Sequence, residues 1–244
     1  MIRDLLDRGR GIEAENIARA LLARVESTRG RDVLEVAEVL DLLGRAVRKS
    51  ARVTGGEKRE IAERAVAIKE HVLGPWHPDL AVSLASLAVH RTLALDPAGG
   101  RLLLERALAI REKAFGPDHV LVAATLQSLA GLLMTVRDDA GARTLLERAL
   151  RIREGMHGAE HPETIQTLFK LALFLNEIND YTGARQHYER VHLLAEKTLG
   201  PSHPFIYEVL VRLAVVLSEG FGDYAGAAHG ALGGGHTGAR APPA

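Results

Sequence analysis

The sequence predicts an all-α fold, a solenoid built from antiparallel helix pairs stacked as repeats. Three observations carry this. A short loop recurs four times, as Leu73-Gly74-Pro75-Trp76-His77-Pro78, Phe115-Gly116-Pro117-Asp118-His119-Val120, His157-Gly158-Ala159-Glu160-His161-Pro162 and Leu199-Gly200-Pro201-Ser202-His203-Pro204, with the glycines 42 residues apart each time. A fixed period of this size marks a stacked repeat. Between the loops, apolar residues return at helical spacing, and small residues return once per repeat at Ala88, Ala130, Ala172 and Ala214.

Each loop reads as the end of one helix and the start of the next. Glycine suits a positive φ just past a helix. The closing Pro lacks an amide hydrogen and fits a first helical turn. It also pushes the preceding His out of the helical region, so His77, His161 and His203 are expected at helix boundaries. At His119-Val120 the Pro is missing, and a less sharply set boundary is expected. Four histidines in register raise the question of a metal site. Packed helices lie ~8–10 Å apart, whereas zinc needs its nitrogens at about 2 Å. A helix-end contact repeated once per unit is the expectation, with no metal and no cofactor.

Taken in order, residues 1–29 read as a partial repeat. Ile17, Leu21 and Val25, with Ala14, Ala18 and Ala20 between them, form one helical face. Residues 30–221 read as an array of about four and a half units. Asp32 is expected to cap a helix with Val36, Val39, Leu40 and Leu43 inward, and Thr54-Gly55-Gly56 to break it from the next, which carries Ile61, Ala65 and Ile68. The second unit has Leu84, Leu87 and Ala88, a break at Asp96-Pro97-Ala98-Gly99-Gly100, then Leu104, Ala107 and Ile110. The third repeats this with Leu126, Leu129, Ala130, then Ala142, Leu146, Ala149 and Ile152. The fourth gives Leu168, Leu171, Ala172, then Ala184, Tyr188 and Val191, turning at Asn179-Asp180-Tyr181. The small residues are expected at helix crossings, where a larger side chain would overpack.

The fifth unit starts with Leu210, Leu213, Ala214 and Leu217, then loses its pattern. Residues 222–244 read as a degenerate last helix followed by a disordered Gly/Ala/Pro tail. An apolar face on residues 205–221 is thereby left uncovered, so self-association or docking of another domain is expected there. Leu213 and Leu217 are expected to double as core, and Val216 to be the more open position. A half-unit at the start and a failed unit at the end are what a segment of a longer signalling protein would show.

Composition narrows the function. Lys plus Arg number 31 and so do Asp plus Glu, so the formal net charge is zero, which argues against a phosphate-dominated nucleic-acid binder. There is no cysteine, hence no disulfide framework and no thiol nucleophile. The longest uncharged stretch, Val120 to Val136, falls short of the ~20 apolar residues that cross a bilayer. A cytoplasmic home is expected. No Gly-x4-Gly-Lys, His-Glu-x-x-His or Gly-x-Ser-x-Gly pattern occurs, so no enzyme chemistry is indicated.

Leu126-x2-Leu129-Ala130-x2-Leu133, followed by Ala142-x3-Leu146-x2-Ala149, resembles the tetratricopeptide repeat. With Ala107-Leu108-Ala109-Ile110-Arg111-Glu112 and the Gly-x-x-His-Pro loop, it is similar to the 42-residue subtype of kinesin light chains and bacterial arrays, over about residues 12–227. The resemblance implies a right-handed superhelix whose first helices line a groove for a protein or peptide partner. The groove positions it implies are Gln127, Ser128, Gln166, Phe169, Lys170, Asn176 and Arg212. The paired Asn of the light-chain subtype is replaced here by Ala85-Ser86, Gln127-Ser128, Phe169-Lys170 and Val211-Arg212. Phe169 has an equal claim to be packing. At one register the residues run Ser86, Ser128, Lys170, Arg212, so an acidic partner is expected toward the C-terminal half.

Overall fold

A computed structural model describes residues 1–48, 50 and 52–222. Among them there are eleven α-helices and no strand. The chain divides into two compact units at Asp138/Asp139. The first holds α1 (Ile2–Asp7), α2 (Gly11–Arg29), α3 (Leu34–Val47), α4 (Gly55–Leu73), α5 (Leu80–Leu93), α6 (Pro97–Phe115) and α7 (Val120–Thr135). The second holds α8 (Asp139–His157), α9 (Pro162–Glu177), α10 (Tyr181–Leu199) and α11 (Pro204–Phe221). Within each unit every helix packs on its neighbours in sequence. The expected degenerate helix and tail, from 223 on, lie outside the described residues.

The loop glycines have positive φ, but their ψ is not that of a left-handed helix. Gly74, Gly116 and Gly200 have φ between +83° and +86° with ψ between 157° and 166°. That region is essentially open to glycine alone, which is why the residue returns at every repeat. The histidine then does more than mark a boundary. In all four loops its Nδ1 accepts the backbone N–H two residues on, at 3.2 Å, the donors being Asp79, Leu121, Glu163 and Phe205. An imidazole thus takes the role usually held by Ser, Asp or Asn at a helix start. His119 and His161 are also stacked on Phe115 and His157, one turn back across the loop.

The missing Pro at Val120 does not blur its boundary. Helix α7 starts at Val120, in register with Pro162 and Pro204, whereas α5 starts at Leu80, two residues after Pro78. His119 still accepts from Leu121 N there, so α7 starts in register without the ring. Three other boundaries differ from expectation. Asp32 does not cap α3, whose N-cap is Val33 with no side-chain bond. Gly55 and Gly56 belong to α4, capped by Thr54, which accepts from Glu57 N. Gly99 and Gly100 belong to α6, capped by Asp96, which accepts from Gly99 N. Gly100 is there for contact, not for turning: a Cβ would come within 2.6 Å of Thr92 Oγ1 and 3.0 Å of the Ala88 carbonyl.

The small residues lie in the packed interior of the helix array. Ala88, Ala107, Ala130, Ala149 and Ala172 are fully buried, and Ala65 nearly so. Around them the core is aliphatic, for example Leu84 and Ile110 in the first unit, Leu168 and Leu171 in the second. Each such side chain contributes about 1.5–3 kcal/mol by leaving water. Val216 is fully buried, so the sequence reading of it as an open position is corrected: it points away from the open side of α11.

Candidate functional site

The first helices carry the candidate residues, and the two units present them differently. In the first unit a groove of about 270 Å³ lies between α5, α6 and α7. Its walls include Val89 and Leu93, its floor Leu104 and Leu132, and its far side Ser128 and Gly131. It is apolar in character because its polar members are only Thr92, Ser128 and Thr135, and the Ser128 hydroxyl is already donating to the Ala124 carbonyl at 3.1 Å. Ser128 is exposed and Gln127 half-buried.

In the second unit the same register is polar. Two repeats after Thr92, Leu104 and Ser128 stand Asn176, Tyr188 and Arg212. Gln166, Lys170 and Arg212 are exposed, while Asn176 is half-buried. Lys170 and Arg212 have no carboxylate within ion-pair distance among the described residues. Desolvation lowers the Lys170 pKa, and the nearby Arg153 guanidinium lowers it further; Arg153 itself lies 3.8 Å from a Glu163 carboxylate oxygen. Around Arg212 the field is mixed. Burial pushes the Tyr188 phenol up to about 12, with Arg212 opposing and Glu177 and Glu208 adding to the shift.

Phe169 is packed among other rings. It is 8% exposed, with its ring edge-on to Tyr188 at 5.8 Å and to Phe205 at 5.1 Å. Its place in the groove set is corrected to packing: it ties α9 to α10 and α11. Two buried polar atoms nearby, Asn176 Oδ1 and Tyr188 Oη, have no partner among the described residues.

The sequence reading missed a set of buried rungs. Arg111 donates to Thr125 Oγ1 at 2.6 Å and to the Leu121 carbonyl at 2.9 Å. Arg153 repeats this on Thr167 Oγ1 and the Glu163 carbonyl, at 2.6 and 3.0 Å. Lys69 reaches the Asp79 carbonyl and Asp41, which in turn accepts from the Ser83 hydroxyl. All three cations are more than nine-tenths buried. One repeat further the same positions are Ala195 and Val209, and the rung is apolar. The signal was available: a basic residue at 69, 111 and 153 with a hydroxyl at 83, 125 and 167. It was hidden among many exposed Arg and Glu residues.

The profile of the tetratricopeptide repeat matches residues 100–155 and 129–192. These are tetratricopeptide repeats. The structure of BtubC (BKLC) from P. vanneervenii aligns with a TM-score of 0.72 at 16% identity, covering 97% of this chain and 96% of that one. A putative kinesin light chain from Podosopora anserina with nearly identical TPR-like repeats aligns at 0.64 and 23% identity, covering 81% and 92%. A Rap protein complexed with competence and sporulation factor aligns at 0.66 and 14% identity, covering 94% and 70%. Comparison with curated protein sequences finds no match. Tetratricopeptide repeats mediate protein–protein contacts in general. Among the described residues no helix is long and apolar enough to cross a membrane, and no cluster of three His, Asp or Glu could hold a metal ion.

Proposed function

We propose that this protein is a non-catalytic scaffold that binds a protein or peptide partner on the exposed face of its first helices, in the cytoplasm. In the second unit the partner is acidic. The observation that carries this is the state of Lys170 and Arg212: both exposed and both without a carboxylate partner. An unpaired cation on a binding face steers an oppositely charged partner and discriminates against like charge. Gln166 and Asn176 add neutral hydrogen-bonding groups. In the first unit the groove beside Ser128 takes an apolar side chain instead. A Rap protein was crystallised with competence and sporulation factor, which supports the same use of the fold here and a place as the sensing segment of a signalling protein.

The test is a binding assay with a synthetic acidic peptide and a matched peptide whose Asp and Glu are changed to Asn and Gln. The acidic peptide is expected to bind more tightly, with an affinity that falls as salt rises. Changing Lys170 and Arg212 together to Ser should remove both the preference and the salt dependence. If the double variant keeps them, the acidic partner binds elsewhere.

A further inference from the structure

We infer that the groove between α1, α2 and α3 is a docking seat for a short amphipathic helix of a partner protein, lying antiparallel to α2 with an acidic residue in its first turn over Arg24. Helix lengths show why the groove is there. Helix α2 has 19 residues, as do α4, α6, α8 and α10, but α1 has 6 where α5 has 14. Counted back from the positive-φ residues Gly9 and Leu95, Met1 and Ile2 stand at the register of Leu87 and Ala88. In the next complete pair, Leu80, Ala81 and Leu84 come before these and pack with Ala107 and Ile110 of α6. Over α2 that place is a groove of about 680 Å³, more than twice the volume of the one beside Ser128. Ile2, Ile17, Leu21 and Leu42 line it together with Arg3 and Arg24. Ile17, Leu21 and Leu42 are only half-buried, and both arginines are exposed.

The residues of α2 name the occupant. At one register the following second helices carry Ile68, Ile110 and Ile152, at 4, 0 and 5% exposure, and on α2 that register is Arg24. Three residues earlier, the buried Ala65, Ala107 and Ala149 are answered by Leu21. An ordinary first helix of this array would therefore bring an apolar side chain onto a guanidinium, which costs free energy. Among the described residues the groove lining includes no carboxylate, and neither Arg24 nor Arg3 has an ion pair. Arg3 also borders a cleft that holds Glu38 and Asp41, so Arg24 is the cation that belongs to this groove alone. An acidic residue in the first turn of an incoming helix meets Arg24 and also suits the positive end of that helix. Aliphatic residues on the next turn then meet Leu21, Ile17 and Leu42, with the i, i+3 and i+4 anchoring of a helix in a groove. A face meant for water alone, as on a capping repeat, would be polar along its length.

The probe is a hydrocarbon-stapled helical peptide of about fourteen residues, stapled because a free helix of that length is marginal in water. It carries Glu in its first turn and Leu and Ala along one face. It is expected to bind the unaltered protein. Arg24→Glu, at an exposed position, should keep the helical circular dichroism and weaken binding at least about tenfold. A second peptide with Lys in place of the first-turn Glu should bind Arg24→Glu better than it binds the unaltered protein. A third, with the Glu moved to the last turn, should bind the unaltered protein more weakly than the first. Lys170→Ser with Arg212→Ser should leave all of this unaltered, so the seat is tested apart from the acidic site of the second unit. The chain has no cysteine, so a dye on Ala20→Cys, exposed and in the groove lining, reports occupancy directly. The inference is overturned if the first peptide does not bind, whether or not dodecanoate or a second copy fills the groove instead. It is overturned equally if Arg24→Glu binds that peptide unchanged, if the position of the Glu makes no difference, or if binding follows Lys170 and Arg212.

Discussion

Arg111 of α6 gives its shortest hydrogen bond, 2.6 Å, to Thr125 of α7, and both residues are buried. No carboxylate shares the site. Burial alone lowers the guanidinium pKa, a sign that the charge is held by neutral oxygens. Removing the hydroxyl with Thr125→Val leaves a charged donor short of a partner and should cost about 1–3 kcal/mol. Combining Arg111→Met with Thr125→Val should recover much of that loss. An apolar pair, Ala195 and Val209, already fills the same register one unit beyond Arg153 and Thr167. Urea unfolding of the two single variants and the double variant checks this; additive losses would count against a coupled rung.

The loop glycine and a helix glycine should respond oppositely to the same change. Gly116 has φ +86° and ψ 163°, so Gly116→Ala should destabilise by about 1–3 kcal/mol. Gly155 lies exposed in α8 with nothing within 4 Å of an added Cβ, and Gly155→Ala should stabilise by up to about 1 kcal/mol. Thermal melts of both variants decide the matter, and equal shifts of one sign would reject it.

Ala130 is fully buried in α7. Ala130→Leu should cost about 1–3 kcal/mol by overpacking the crossing. An unchanged melting temperature would show that the helices can move apart at no cost.

Tyr188 predicts an alkaline limit to stability. Its folded pKa, about 12, lies above the ordinary phenol value of 10.0. Between those values the folded chain holds a proton that the unfolded chain has lost, so stability falls as pH rises from 10 toward 12. Tyr188→Phe should remove this part of the decline. It also deletes a buried hydroxyl without a partner, so it should leave stability at neutral pH unchanged or slightly raised. Denaturant melts from about pH 8 to about pH 11.5 on both proteins measure it.

Much of this was legible in the sequence, for physical reasons that differ by element. The 42-residue period fixed the helix pairs because glycine at 74, 116, 158 and 200 answers a backbone need that no other residue meets. The alanine positions were readable because a crossing excludes volume whatever the neighbours are. Helix starts were less so. Gly55, Gly56, Gly99 and Gly100 read as breaks, yet Thr54 and Asp96 cap just ahead of them and the helix absorbs them. On the candidate face, Lys170 and Arg212 are proposed by register alone. Phe169 lies beside that register, and its direction is set by contact with Tyr188 and Phe205, which no linear pattern reports. The buried cations escaped because a charged residue reads as solvated until its partners are known.

Those cations have one more consequence, for what the loops are needed to do. Lys69 holds the carbonyl of Asp79 and Arg153 that of Glu163, each ten residues ahead and across a loop. Every one of these side chains is a second strand of connection running parallel to the main chain. A protease cut between Gly158 and Glu160 would sever the backbone and leave α8 and α9 clasped. A loop opened at its tip, between the glycine and the capping histidine, would therefore leave the seam beneath it in register.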